Sequence, residues 1–407
     1  MLKRNEGFSK LTAGYLFPEV SKRRKEYVAS HPEAKIISLG IGNTTEPLPE
    51  FISKAMSDYA IKLSTKEGYS GYGDDCGNPV LRRKIAEIFY KGVVDGDEVF
   101  VADGAKCDIS RLQILFGRKV NIAVQDPSYP VYVDGSVIIG ATGKNSPNGY
   151  KNITYMPCTA ENNFFPDLST VKKNSLIYFC SPNNPTGFAS TKEQLKSLVD
   201  FANKNGCIII FDAAYSEFIR DSSLPKSIFE IEGAKTCCIE VNSFSKPAGF
   251  TGVRLGWSVV PKDLKFADGS SVNKDWARVQ TTLFNCASNI AQAGGLACLE
   301  KEGLDSMKSV IDYYLENAAI LKETFEGDNF KTHNVEVYYT GKSPYLWIKF
   351  PGEKSWDVFD KILDKCNIVT TPGSGFGHSG ESFIRISSFA HHEDVREACK
   401  RLKNLVL

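Results

Sequence analysis

Residues 176–212, LIYFCSPNNPTGFASTKEQLKSLVDFANKNGCIIIFD, hold the pattern from which the architecture follows. Two short and almost wholly apolar runs, Leu176–Cys180 and Cys207–Phe211, each end in turn-forming or polar residues. Between them Thr191–Asn205 opens on an N-cap residue, carries apolar positions at helical spacing and stops at Gly206. A strand, an amphipathic helix and a second strand form the repeating unit of an α/β sheet, and strands that are apolar throughout suit burial on both faces.

Outward from this unit the same alternation runs from about residue 95 to 260, with further candidate strands at Val99–Ala102, Asn121–Gln125, Cys237–Val241 and Trp257–Val260. Beyond about residue 300 the texture changes to a long amphipathic helix near Leu304–Phe325 and extended runs at Val335–Tyr339, Tyr345–Phe350 and Phe383–Ser387. Helices around Trp356–Cys366 and Glu393–Leu402 flank those runs. The pattern predicts an N-terminal arm over 1–45 that completes part of a smaller domain, a large α/β domain over 46–300, and a smaller α+β domain over 301–407. No repeat, low-complexity tract or Gly/Ser-rich linker separates them, so the domains are expected to be interleaved or tightly docked.

At 407 residues the chain exceeds the usual size of a single core. Its 49 Lys+Arg against 48 Asp+Glu give a formal net charge of +1, which offers no electrostatic case for nucleic acid or a polybasic membrane anchor. Small-molecule chemistry is the natural expectation. The 11 cysteines form no C-x-x-C pair and several lie in apolar runs, as expected of thiols in a reducing compartment. The first residues lack an apolar signal core and no stretch is long and apolar enough for a bilayer, so a cytoplasmic location is expected, or an organelle stroma if a transit segment has been removed. The five histidines show no metal-binding spacing. Gly341-Lys342-Ser343 lacks the first glycine of a Walker A loop, since position 336 is Glu, and the glycines of residues 373–377 miss the dinucleotide spacing; both are read as loops.

Ligands of open parallel sheets bind at the carboxyl ends of the strands. Here those ends are polar. Val99–Ala102 runs into Asp103-Gly104-Ala105-Lys106, with a helix expected to begin near Cys107, a suitable anion site or a plain strand-to-helix turn. Asn121–Gln125 ends in Asp126-Pro127-Ser128-Tyr129-Pro130, where the tyrosine ring either stacks on a planar ligand or simply packs. Leu176–Cys180 leads to Asn184-Pro185, and Cys207–Phe211 to Asp212 with Tyr215 three residues on. Cys237–Val241 leads to Ser243, Ser245 and Lys246, with Arg254 eight residues beyond the lysine. Each feature alone has an ordinary structural reading. Together they fall in the order that one cofactor, pyridoxal 5′-phosphate, would require.

A pyridine nitrogen that must stay protonated needs a buried carboxylate, which Asp212 can provide. Asn184 and Tyr215 are candidate donors to the phenolic oxygen. The backbone at Ala105–Lys106, the hydroxyls of Ser243 and Ser245 and the fork of Arg254 suit the phosphate. Lys246 is the amine that holds the cofactor and then moves a proton. An ammonium of ordinary pKa ~10.4 would be neutral in only about one molecule in 10³ near pH 7, so desolvation and Arg254 must lower it. Arg385 interrupts the apolar run Phe383–Ser387 and is assigned to a substrate α-carboxylate, against the ordinary reading of an edge-strand arginine.

With Asn184-Pro185-x-Gly187, Asp212-x-x-Tyr215, Ser243-x-Ser245-Lys246, Arg254 and Arg385 in place, the chain resembles the fold type I pyridoxal-phosphate aminotransferases. Further motifs extend the resemblance over essentially the whole chain: Leu11-Thr12-x-x-Tyr15, residues 68–73 (GYSGYG), 103–106 (DGAK), 125–130 (QDPSYP) and 252–257 (GVRLGW). They point to the branch acting on LL-2,6-diaminopimelate. The resemblance implies a large domain with a mainly parallel seven-stranded sheet, and a homodimer with shared active sites into which Tyr72 and Asn285 reach from the partner. It also implies that Tyr129 stacks on the cofactor ring, that Tyr15 and Gly42 line the substrate pocket and that Lys106 meets the substrate's distal carboxylate. The implied reaction is reversible amino transfer between LL-2,6-diaminopimelate and 2-oxoglutarate, giving tetrahydrodipicolinate and glutamate, in lysine biosynthesis. Asp75 stands where the family is expected to carry glutamate to recognise the distal amino end, and its shorter side chain would call for a bridging water. Rival readings are a relative acting on another donor such as lysine, a lyase on the same scaffold, and a cofactor-binding regulator without catalysis. A regulator would be expected to replace Lys246 or add a DNA-binding domain, and neither is seen.

Overall fold

The structure, a computed structural model, describes residues 2–11, 16–147 and 149–405. The helix expected after the 176–180 run forms at Lys192–Asn205. Thr191 Oγ1 accepts from the Gln194 N–H at 3.2 Å while Gln194 Oε1 accepts from the Thr191 N–H at 2.9 Å, and Gly206 ends the helix at φ 64°. A reciprocal cap of this kind stabilises a helix by about 1 kcal/mol.

The central sheet has seven strands: β1 (Val99–Ala102), β2 (Asn121–Asp126), β3 (Ile153–Pro157), β4 (Ser175–Cys180), β5 (Ile208–Asp212), β6 (Cys238–Ser243) and β7 (Gly256–Val259). They lie side by side in the order β1-β7-β6-β5-β4-β2-β3. β2 through β6 pair in parallel. β7 alone runs against its neighbours β1 and β6. Side chains of β4 and β5 alternate between two cores: Ile177, Phe179, Ile209 and Phe211 enter one, Leu176, Tyr178 and Ile210 the other. The sheet is therefore covered on both faces, as its unbroken apolar runs require. β3 has no counterpart among the strands expected from sequence. Only Met156 of that edge strand is fully buried, which leaves its sequence without a strong apolar run.

Reversal of β7 brings a guanidinium to the ligand-binding edge of the sheet. Its first residue, Gly256, stands opposite Ala102 and Ser243, the ends of β1 and β6. Arg254, just before it, is thus delivered to the edge where the parallel strands end. At the same edge helix α1 spans Ala105–Phe116, starting two residues before the expected Cys107. Gly104, at φ 119° and without a Cβ, turns the chain directly into the helix.

A second sheet of four strands, β8 (Glu336–Tyr338), β9 (Tyr345–Lys349), β10 (Thr371–Pro372) and β11 (Phe383–Ser387), has the order β8-β9-β11-β10. Helices Lys301–Phe325, Ser355–Cys366 and His392–Leu402 share a separate core with it, through Leu321, Ile362, Val395 and Ile384 among others. Ile37 and Leu39 join that core, and Ile37–Ser38 pairs in parallel with Ile368–Val369. Among the described residues no helix is long and apolar enough to cross a membrane, and no His/Cys/Asp/Glu group could hold a metal ion.

Candidate active site

A cavity of about 590 Å³ opens where the strand ends of the large sheet face β9 and β11 of the smaller one. Its wall carries Ala105, Lys106, Tyr129, Asn184, Asp212, Tyr215, Ser243, Ser245, Lys246, Arg254, Gly42 and Arg385. The structure thus brings together residues that the sequence spreads over more than three hundred positions.

Lys246 follows β6 by three residues, and its Nζ donates to the Gly42 carbonyl. Burial, then the positive charges of Arg385 and Arg254, push its ammonium down from the ordinary lysine value to about 7. A nucleophilic amine is therefore present near neutral pH. Residue 42 must be small, because a Cβ there would stand 2.4 Å from Tyr345 Oη.

Asp212 closes β5 and is buried. Tyr132 Oη donates to its Oδ2 at 2.7 Å and the Ala214 N–H to its Oδ1 at 3.1 Å. Burial raises its pKa while these two bonds oppose the rise. No Lys, Arg or His among the described residues forms an ion pair with it, so the carboxylate suits a cationic ligand atom. Tyr132, stacked on Tyr178 at 5.1 Å between ring centroids, was not found from sequence. It lies in a helix and carries no motif.

Two sources of positive potential meet at the other end. The N-terminus of α1 presents Ala105 and Lys106, and the Arg254 guanidinium lies against it: a Cβ on Gly104 would be 2.4 Å from Arg254 Nη2. Arg254 itself adopts a left-handed φ of 68°, and its Nη1 donates to the Thr251 carbonyl at 3.0 Å. A guanidinium beside the positive end of a helix is unfavourable unless an anion lies between them. Ser243 and Ser245 border the same place, with their hydroxyls 2.9 Å apart. The set fits a phosphate.

Arg385 is 1 % exposed and comes from the middle of β11. Its Nη1 donates to Asn184 Oδ1 at 2.6 Å and its Nη2 to the Gly40 carbonyl at 2.6 Å, while Nε has no hydrogen-bond partner among the described residues. Its carbon lies 4.2 Å from the centroid of the Tyr345 ring and 4.9 Å from that of Phe376. No carboxylate among the described residues forms an ion pair with it. A buried guanidinium with spare donors is costly unless an anion completes it. Tyr345, whose Oη is 2.7 Å from Tyr215 Oη, is a second residue missed from sequence, where it read as an ordinary strand residue. Tyr129 stands at right angles to Tyr132 with centroids 6.0 Å apart, and Lys106 Nζ lies 5.9 Å from the Tyr129 centroid.

Three candidates are not brought to this cavity by their own chain. Tyr72 is 90 % exposed, and Asp75 and Asn285 lie on the neighbouring surface loops, none of them on the cavity wall. Tyr15 lies outside the described residues.

Comparison with known proteins places the chain in a family. The family described as "Aminotransferase class I and II" matches residues 34–402. The chain is 56 % identical to the chloroplastic LL-diaminopimelate aminotransferase of Arabidopsis thaliana over 99 % of its length and 87 % of that protein's. It is 54 % identical to the LL-diaminopimelate aminotransferase of Protochlamydia amoebophila (strain UWE25), over 100 % of this chain and 98 % of the relative. A solved structure of the L,L-diaminopimelate aminotransferase from Chlamydomonas reinhardtii superposes with a TM-score of 0.94 at 56 % identity, covering 99 % of this chain and 98 % of that one.

Proposed function

The chain belongs to the class I and II aminotransferases, and on that premise we propose that it catalyses reversible amino transfer between LL-2,6-diaminopimelate and 2-oxoglutarate, with pyridoxal 5′-phosphate held by Lys246. The observation that carries the chemistry is the cavity's charge arrangement: a lowered-pKa lysine between a buried, unpaired carboxylate and a buried guanidinium with a free Nε. Matches over 99–100 % of this chain, at 54–56 % identity, to relatives named for this donor support the substrate.

When bound, the cofactor supplies an electron sink for the pair left behind when a substrate Cα–H bond breaks. Asp212 would keep a proton on the ring nitrogen, its carboxylate held in place by Tyr132 and the Ala214 N–H. Asn184 and Tyr215 would hold the phenolic oxygen, and Tyr129 would pack on the ring. The α1 N-terminus, Ser243, Ser245 and Arg254 would bind the phosphate. Lys246 Nζ would hold the cofactor and would carry the Cα proton, work typically worth ~10²–10⁴ in rate. Arg385 takes the α-carboxylate, so that the Cα–H bond faces Lys246. Lys106 meets the distal carboxylate, and Gly42 and Tyr15 shape the pocket.

The protein works as a homodimer in the cytoplasm or an organelle stroma, and Tyr72, Asp75 and Asn285 complete the partner's cavity. Exposure of Tyr69 (71 %) and Tyr72 (90 %) beside each other on a surface loop supports such an interface. The layout is an arm over 1–45, a large domain over 46–300 and a small domain over 301–407. Glutamate formation from 2-oxoglutarate tests the reading, with LL-diaminopimelate, its meso isomer, lysine and aspartate offered separately. LL-diaminopimelate should lead; a rate led by lysine or aspartate would reassign the donor.

A further inference from the structure

Gln292 is 2 % exposed, in the first turns of helix Asn289–Cys298, and its amide is used on both sides. Oε1 accepts from the Asn78 N–H at 2.7 Å. Nε2 donates to the Ala287 carbonyl at 2.9 Å and lies 3.5 Å from Cys286 Sγ and 3.3 Å from Asn289 Oδ1. One turn earlier, Asn289 Nδ2 donates to Ser70 Oγ and to the Gly71 carbonyl, both at 3.3 Å. Two side chains on one helix thus tie together residues 70–78 and 285–287, the loops that carry Tyr72, Asp75 and Asn285.

Both loops rest on this helix. Asn285 and Cys286 are consecutive non-glycine residues at φ 67° and 73°. Such residues are disfavoured and persist only where their surroundings over-determine them. In the other loop the helix after Asn78 is capped by Asn78 Oδ1, so the Gln292 bond to the Asn78 N–H sets the position from which the loop departs. A Cβ at Gly73 would stand 2.8 Å from Asn289 Oδ1, so the loop is also pressed close on this helix. Only a group that accepts on one side and donates on the other can serve both loops, as a primary amide does.

We propose that Gln292, assisted by Asn289, is a positioning residue that sets Asp75 and Asn285 for the partner's site, and so governs amino-donor selectivity in the other subunit rather than in its own. The proposal rests on the reading that these loops reach across the dimer. Substrates longer than glutamate, with a distal amino end to be recognised, depend on it most.

Gln292→Leu keeps the size of the side chain and removes both hydrogen-bonding functions. The ratio of kcat/KM for LL-diaminopimelate to that for glutamate should fall about tenfold, mainly through KM, a modest loss for displaced substrate-binding groups. The visible absorbance of the bound cofactor should not change. Hybrid dimers with a Lys246→Ala subunit then separate the roles. Their one competent site belongs to the Gln292→Leu chain but receives intact loops from the Lys246→Ala chain, so the wild-type ratio should return. A hybrid that keeps the altered ratio, or equal losses with both donors in the Gln292→Leu homodimer, overturns the proposal. If Gln292→Leu does not fold, Asn289→Ala takes its place under the same criteria. The shared-site reading fails separately: an Asp75→Ala subunit whose donor defect is not repaired in hybrids with Lys246→Ala sinks that reading, and the proposal with it.

Discussion

The Arg385 guanidinium donates to the side-chain oxygen of Asn184 at 2.6 Å, across 201 residues of sequence and between the two sheets. The residue assigned to the substrate carboxylate is therefore mechanically joined to one assigned to the cofactor. Arg385→Gln should lower kcat/KM for every amino donor about 10²-fold or more while the cofactor still binds. Arg385→Lys should recover only part of this, because an ammonium lacks the two-pronged fork. Steady-state kinetics with LL-diaminopimelate and glutamate, beside a cofactor titration, checks both.

Gly104 should tolerate no side chain. Its φ of 119° and the 2.4 Å approach of Arg254 Nη2 to a would-be Cβ mean that Gly104→Ala must move the guanidinium or the start of α1. Cofactor affinity should fall about tenfold or more, since charge-assisted bonds to the phosphate are lost. Equilibrium dialysis of the cofactor measures it; unchanged affinity would remove Arg254 and α1 from the phosphate site.

Asp212→Asn should leave the fold intact and reduce transamination by about 10²-fold or more, because a neutral amide cannot hold the ring proton. Tyr132→Phe removes only a hydrogen bond to that carboxylate, and about tenfold is expected from a bond to a charged group. Single-turnover rates at saturating substrate read both effects.

Lys246 has a folded-state pKa of about 7 against an ordinary 10.5. Its amine is neutral above about 7, so capture of pyridoxal 5′-phosphate by cofactor-free protein should rise with pH through that value and then level off. Arg385→Gln removes one of the positive neighbours and should move the midpoint upwards. Between about 7 and 10.5 the unfolded chain binds a proton that the folded chain does not, so this lysine makes the cofactor-free protein more stable as pH rises through that window. Rates of absorbance change after mixing, and melting temperatures over the same pH range, check the two signs.

Much of the fold was legible because strands buried on both faces must be apolar along their length and must end in polar residues where ligands bind. That logic located Asp212, Ser243 and Lys246, and Arg385 was conspicuous as a charge within an apolar strand. β3 escaped because an edge strand needs no such run. Tyr132 and Tyr345 escaped because their roles arise only from approach across the fold, to Asp212 and Tyr215. Gln292 escaped for the same reason: a buried amide in a helix becomes informative only when both its partners are known. The α1 boundary moved by two residues because Gly104 turns the chain without a longer lead.

The half-reaction tests the central claim most directly. Purified protein loaded with pyridoxal 5′-phosphate is mixed with LL-diaminopimelate, its meso isomer, lysine, aspartate or glutamate, one at a time, and the visible absorbance of the bound cofactor is followed. Rapid loss of that absorbance with LL-diaminopimelate and glutamate, and with neither lysine nor aspartate, is the predicted result. A response led by lysine or aspartate, or no cofactor band at all after pyridoxal 5′-phosphate is added, would contradict it.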